Sequence, residues 1–146
     1  PLARDNMLKA GIFYVAGLVP LSRSAGAANG SAIDLLASNS PAGPYNAGLV
    51  ILETGAATGS PTAQSVTVKI QESADGSTGW TDVTDLAEVE AATVVSDADN
   101  QVKTLAFYPT ALKQYIRVVA TTAFTGGTTP AQPSSVLVVL GEPTRI

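Results

Sequence analysis

From Val66 to Gln71 the branched apolar residues Val66, Val68 and Ile70 alternate with the polar residues Thr67, Lys69 and Gln71. A period of two places the first set on one face of a strand and the second on the other, which predicts a sheet that is wet on one side. The same reading predicts strands at Ser31 to Leu36, Ala47 to Thr54, Gln64 to Ser73, Trp80 to Val83, Val102 to Phe107, Gln114 to Thr122 and Ser134 to Leu140. Val136 to Leu140 is apolar at every position, so it is expected as a central strand or one covered at an interface. Clusters of Gly, Pro, Ser and Asn at Ser40 to Pro44, Gly55 to Pro61 and Thr125 to Pro133 separate these segments. Strands spaced this way predict an all-β fold, an antiparallel β-sandwich or jelly-roll-like domain spanning residues 31–146.

The first quarter reads differently. Pro1 to Asn29 has no sustained period and ends in the small, polar run Ser22 to Ser31, so residues 1–30 are expected as an extended N-terminal arm with one short strand around Ile12 to Val15. On that reading the arm contributes Leu2, Leu8, Ile12, Phe13, Tyr14 and Leu18 as contacts to a partner, and removing Pro1 to Ala28 leaves a folded domain. The apolar stretch Ala10 to Leu21 is interrupted by Gly17 and Pro20 and is too short to cross a bilayer, so no membrane partner is expected. One helical segment competes with the strands: Asp85 to Ala92 could make one or two turns with Thr84 as its cap.

Composition narrows the function classes. The chain of 146 residues suits one domain with its own core. Only 14% of residues are charged against 45% hydrophobic, so Ser, Thr, Gly, Ala and Asn cover much of the surface, a composition suited to packing against other protein. The formal charge of −4 and the absence of any Lys or Arg cluster speak against a nucleic-acid-binding face, because phosphate neutralisation needs grouped cations. With no Cys there is no disulfide or thiolate site, and with no His the usual general base and the commonest transition-metal ligand are missing. No enzyme and no cofactor is expected.

Particular residues refine this. Asp75-Gly76 sits where a tight turn needs positive φ. Asp97, Asp99 and Asn100 offer clustered oxygens but lack the central Gly and distal Glu of a calcium loop, so they read as a solvated turn. Glu53 and Glu72 fall at strand ends and read as surface or ion-paired groups rather than an acid–base pair. Arg117, inside a strand between Ile116 and Val118, must lie on the wet face or be paired, either with one of these acids or with a carboxylate of another subunit. Trp80 reads as core, with a sugar-stacking role beside Asp82 as its alternative. Tyr14 and Tyr45, in irregular surroundings, are candidate interface anchors. Gly126-Gly127-Thr128-Thr129 lacks the Lys and following helix of a phosphate loop and reads as a hairpin loop.

Several of these segments together resemble the decoration, or cement, proteins of tailed bacteriophage capsids. The resemblance covers roughly Ser31 to Arg145 and rests on Ser31-Ala32-Ile33-Asp34, the strand from Leu49 to Gly55 closing in Glu53-Thr54-Gly55, and Glu72-Ser73-Ala74-Asp75-Gly76 before Trp80. It continues through Lys113-Gln114-Tyr115-Ile116-Arg117-Val118 and ends with Leu140-Gly141-Glu142-Pro143. It implies a homodimeric or homotrimeric β-subunit on the outside of the virion head that bridges neighbouring units of the major capsid protein. Similar hairpins also fit a tail or head-completion protein, and Trp80 keeps a carbohydrate-binding β-sandwich open as a further alternative.

Overall fold

A computed structural model describes residues 12–36 and 45–143. Its strands are β1 (Ile12–Arg23), β2 (Gly26–Asn29), β3 (Ile33–Asp34), β4 (Tyr45–Thr54), β5 (Ala63–Ser73), β6 (Thr81–Asp82), β7 (Val94–Ser96), β8 (Val102–Phe107), β9 (Tyr115–Thr125) and β10 (Gln132–Pro143). They form two antiparallel sheets packed as a sandwich. The first sheet runs β1-β10-β4-β8; in the second, β2-β9-β5-β6 is extended by β3 on β9 and β7 on β5.

Alternation decides which side chains meet between the sheets. Val50 and Leu52 of β4, Leu105 and Phe107 of β8, and Val136, Val138 and Leu140 of β10 point inward from the first sheet. Val66, Val68 and Ile70 of β5 meet them with Ile116, Val118 and Ala120 of β9. Each large aliphatic or aromatic side chain removed from water in this layer contributes about 1.5–3 kcal/mol before conformational entropy is subtracted.

The largest departure from expectation is at the N-terminus. Ile12–Arg23 is a full strand, antiparallel to β10 from Ile12↔Gly141 to Arg23↔Gln132, and Gly26–Asn29 pairs with β9. Leu18, expected to reach a partner, is 9% exposed and belongs to the core. The described part of the expected arm is therefore two strands, one in each sheet. The sequence hid this because β1 carries two bulges, between Ala16 and Leu18 and between Leu18 and Leu21, which break the period of two. Arg23 bridges the second irregularity: it donates to the carbonyl oxygens of Val19 at 2.9 Å and Ser134 at 2.6 Å. The chain then crosses to the other sheet, where Gly30 donates its N–H to Val118 at 2.8 Å. A Cβ on Gly30 would collide with the Gly17 carbonyl oxygen, so this close approach requires glycine.

Two further expectations change. Asp85–Ala92 is not a helix: Glu88 and Val89 donate to the Asp85 carbonyl in a single turn, after which Val89, 1% exposed, bridges to Phe107. Val94–Ser96 had no sequence prediction and is a short strand on β5. The expectation for Val136–Leu140 holds, since β10 is paired on both sides by β1 and β4.

Candidate docking faces

The outer face of the first sheet is built from three cross-strand rows. Tyr14, Val139, Leu49 and Ala106 form one, Ala16, Leu137, Ile51 and Thr104 the next, and Ser135, Glu53 and Val102 the third. Only Glu53 among these is charged. Tyr14 is 71% exposed, Val102 63% and Leu137 38%, while Leu49, Ile51, Val139 and Ala106 are half-buried by one another. Val19 and Leu21, farther along β1, are also exposed. An antiparallel sheet facing water is ordinarily polar on that side, and a contiguous apolar face marks a surface that docks on something else.

The outer face of the second sheet has the opposite chemistry. Thr67, Lys69 and Gln71 of β5 face outward beside Arg117 and Thr121 of β9 and Asp82 of β6. Lys69 pairs with Asp82 at 3.0 Å, Gln71 donates to the other Asp82 oxygen at 2.8 Å, and Arg117 donates from Nε to Gln71 Oε1 at 2.8 Å. The Gln71 amide, and then the Lys69 ammonium, hold the Asp82 carboxyl below the usual carboxylate range. Arg117 does not pair with Glu53 or Glu72, as the sequence reading allowed. Its guanidinium lies 4.5 Å from the centroid of the Trp80 ring. Glu53 lies in the other sheet, and Glu72 accepts the Lys113 N–H at 3.0 Å. Trp80 is half-buried outside the core, with one ring face occupied by Arg117.

The loop that delivers Trp80 is held from within. The Asp75 carboxylate accepts the Ser77 N–H at 2.9 Å, the Thr78 N–H at 2.8 Å, the Thr78 hydroxyl at 2.6 Å and the Ser73 hydroxyl at 3.0 Å. These donors, led by Thr78, hold the Asp75 carboxyl far below its ordinary value. Gly76 follows with φ of 78°, as the turn chemistry predicts, and a Cβ there would approach the Tyr115 ring at 2.9 Å.

The expected interface residues are therefore dispersed. Leu2 and Leu8 lie outside the described residues. Ile12 and Phe13 take register positions on β1 opposite Gly141 and Leu140. Tyr14 stands on the outer face of the first sheet and Arg117 on that of the second, whereas Leu18 and Tyr45 are buried. Sequence reasoning missed Leu49, Ile51, Leu137 and Val139 as surface residues, although the doubly apolar run Val136 to Leu140 carried the signal. Asp99 serves its turn, accepting the Ala57 N–H at 2.9 Å and bonding the Gln64 amide. Among the described residues no group of three or more His, Cys, Asp or Glu side chains is placed to hold a metal ion. No described helix is long and apolar enough to cross a membrane.

No protein-family model matches the chain, and no curated protein matches it. Among solved structures it is similar to the PBSX exported protein XepA, with TM-score 0.57 and 13% identity over 92% of this chain and 38% of that one. The chain thus spans well under half the length of XepA, and what the two share is the β-sandwich fold. A chain of the Bacillus endospore appendages, a family of disulfide-linked pili, aligns with TM-score 0.46 and 13% identity over 92% of this chain and 90% of that one.

Proposed function

We propose that this chain is a non-catalytic structural protein of a virion, a decoration protein that sits on the outer surface of the head and reinforces contacts between units of the major capsid protein. The observation that carries the reading is the nearly uncharged, apolar outer face of the first sheet, displayed on a sandwich whose own core is complete without it. A rigid domain with such a face can bury area on a neighbour without paying to order itself. Copies that touch one another as well as the shell hold by many modest contacts at once, so that release requires all of them to break together. The resemblance of Glu72 to Gly76, Lys113 to Val118 and Leu140 to Pro143 to cement proteins supports the location. The charge of −4 and the dispersal of the cations support an exterior place away from the genome.

The test is a cryo-electron-microscopy reconstruction of the particle that carries this chain. Copies spread over the outer shell at local symmetry axes, with the Tyr14–Leu137 face against capsid protein, are the expected result. Density confined to the tail or portal would overturn the decoration reading in favour of a tail or head-completion part.

A further inference from the structure

Arg117 is more constrained than an exposed cation needs to be. Its neighbours Ile116 and Val118 are fully buried, so alternation sends its side chain to the outer face of the second sheet. There the guanidinium carbon lies over the Trp80 ring, 4.5 Å from its centroid, and Nε donates to Gln71. Gln71 has one orientation open to it. Its amide nitrogen donates to Asp82, which can only accept, and its oxygen accepts from Arg117, which can only donate. Asp82 is in turn secured by Lys69. This chain of partners orients the cation but leaves Nη1 and Nη2 without a protein acceptor among the described residues.

With Nε committed, the geometry left open is the end-on fork, in which the two terminal nitrogens grip both oxygens of one carboxylate. The charge count selects the ligand class. Lys69 is neutralised by Asp82, so Arg117 offers a single uncompensated positive charge on a chain whose net charge is −4, a match for one monoanion and a poor one for a polyphosphate backbone. We propose that Arg117, stacked on Trp80 and tied to Gln71, is a preformed receptor for one carboxylate, an Asp or Glu side chain of a partner protein. The identity of that partner rests on the virion reading; the carboxylate chemistry does not. The receptor and the apolar face lie on opposite sides of the sandwich, so one subunit can hold two neighbours by different means.

Trp80 is the single Trp of the chain and lies against the site, so its emission reports occupancy directly. The full chain is titrated at constant ionic strength with N-acetylglutamate amide, with N-acetylglutamine amide, and with inorganic phosphate. A saturable change with the glutamate derivative alone is expected, lost in both Arg117→Gln and Arg117→Lys while the melting temperature of Arg117→Lys stays at that of the parent. Absence of a saturable change in the parent, or the same change in Arg117→Gln, would overturn the receptor, and an equal response to phosphate would overturn the assignment to carboxylates. Particle attachment is scored separately: a chain that passes this titration but is absent from the capsid exterior refutes the decoration reading and leaves the receptor standing.

Discussion

The two sheets share one core yet differ on the faces they turn away from it. The first sheet presents Tyr14, Leu137, Ile51 and Val102 to the outside, and the second presents Lys69, Gln71, Asp82, Thr121 and Arg117. Folding requires only the inner faces to be apolar, and the second sheet shows the outcome when that requirement acts alone. The apolar outer face of the first sheet is not demanded by the packing between the sheets, and it is the feature on which the proposed docking role rests. The polar face is also organised, because Lys69, Asp82 and Gln71 are linked into one chain of partners ending at Arg117.

The comparison can be broken at its base. Deleting residues 1–28 removes β1 and all of β2 but Asn29, uncovers the β10 edge and takes Leu18 from the core, so the chain is expected to lose its cooperative thermal transition. A truncated chain that melts like the parent would restore the independent arm. Inside the sandwich, Phe107→Ala should cost about 3–5 kcal/mol in denaturant unfolding, since the ring is 1% exposed between the sheets.

The outer faces should then separate by assay. Leu137→Asp should cost no more than about 2 kcal/mol and leave the chain folded, yet weaken attachment to capsid particles at least about tenfold, while Thr121→Asp on the opposite face leaves attachment unchanged. Equal losses from both would remove the distinction between the faces. Gly76→Ala should destabilise by about 1 kcal/mol or more, because φ is 78° and the new methyl meets the Tyr115 ring.

The smallest effect is expected with acid. The Asp75 and Asp82 carboxyls titrate below their ordinary value when folded, so the stability they contribute is complete above pH about 4 and is lost as pH falls through their lowered values. Trp80 emission should therefore hold steady until the pH is well below about 4 and change only then, and Asp75→Asn should remove the last part of that change to develop on acidification. A Trp80 signal that moves only with the global transition would show that the turn has no titration of its own.

The sandwich was legible wherever one strand kept a clean alternation. β4, β5, β8, β9 and β10 were placed within a few residues of their observed ends because turn residues bracket them and because their inward residues are branched or aromatic. β1 was not, because its two bulges shift the inward residue off the period of two, and Gly17 and Pro20 imitate a loop. The short β7 has too few residues to show a period and exists through its pairing with β5. Among the site residues, Arg117 was singled out by its position between two apolar neighbours, but its partners Gln71 and Trp80 come from other parts of the chain and no spacing rule joins them.

The sequence by itself determined the all-β class, the inward set of the main strands, the Asp75-Gly76 turn and the scarcity of grouped charge, because each follows from local backbone preference or from composition. Tertiary structure decided which strands are neighbours, that Ile12–Arg23 completes the first sheet instead of leaving it, and that Tyr14 is displayed while Leu18 and Tyr45 are buried. Those outcomes depend on cross-strand register and on which sheet a segment joins. Both are settled by partners distant in sequence, and alternation along one strand does not say which of its faces will be left uncovered.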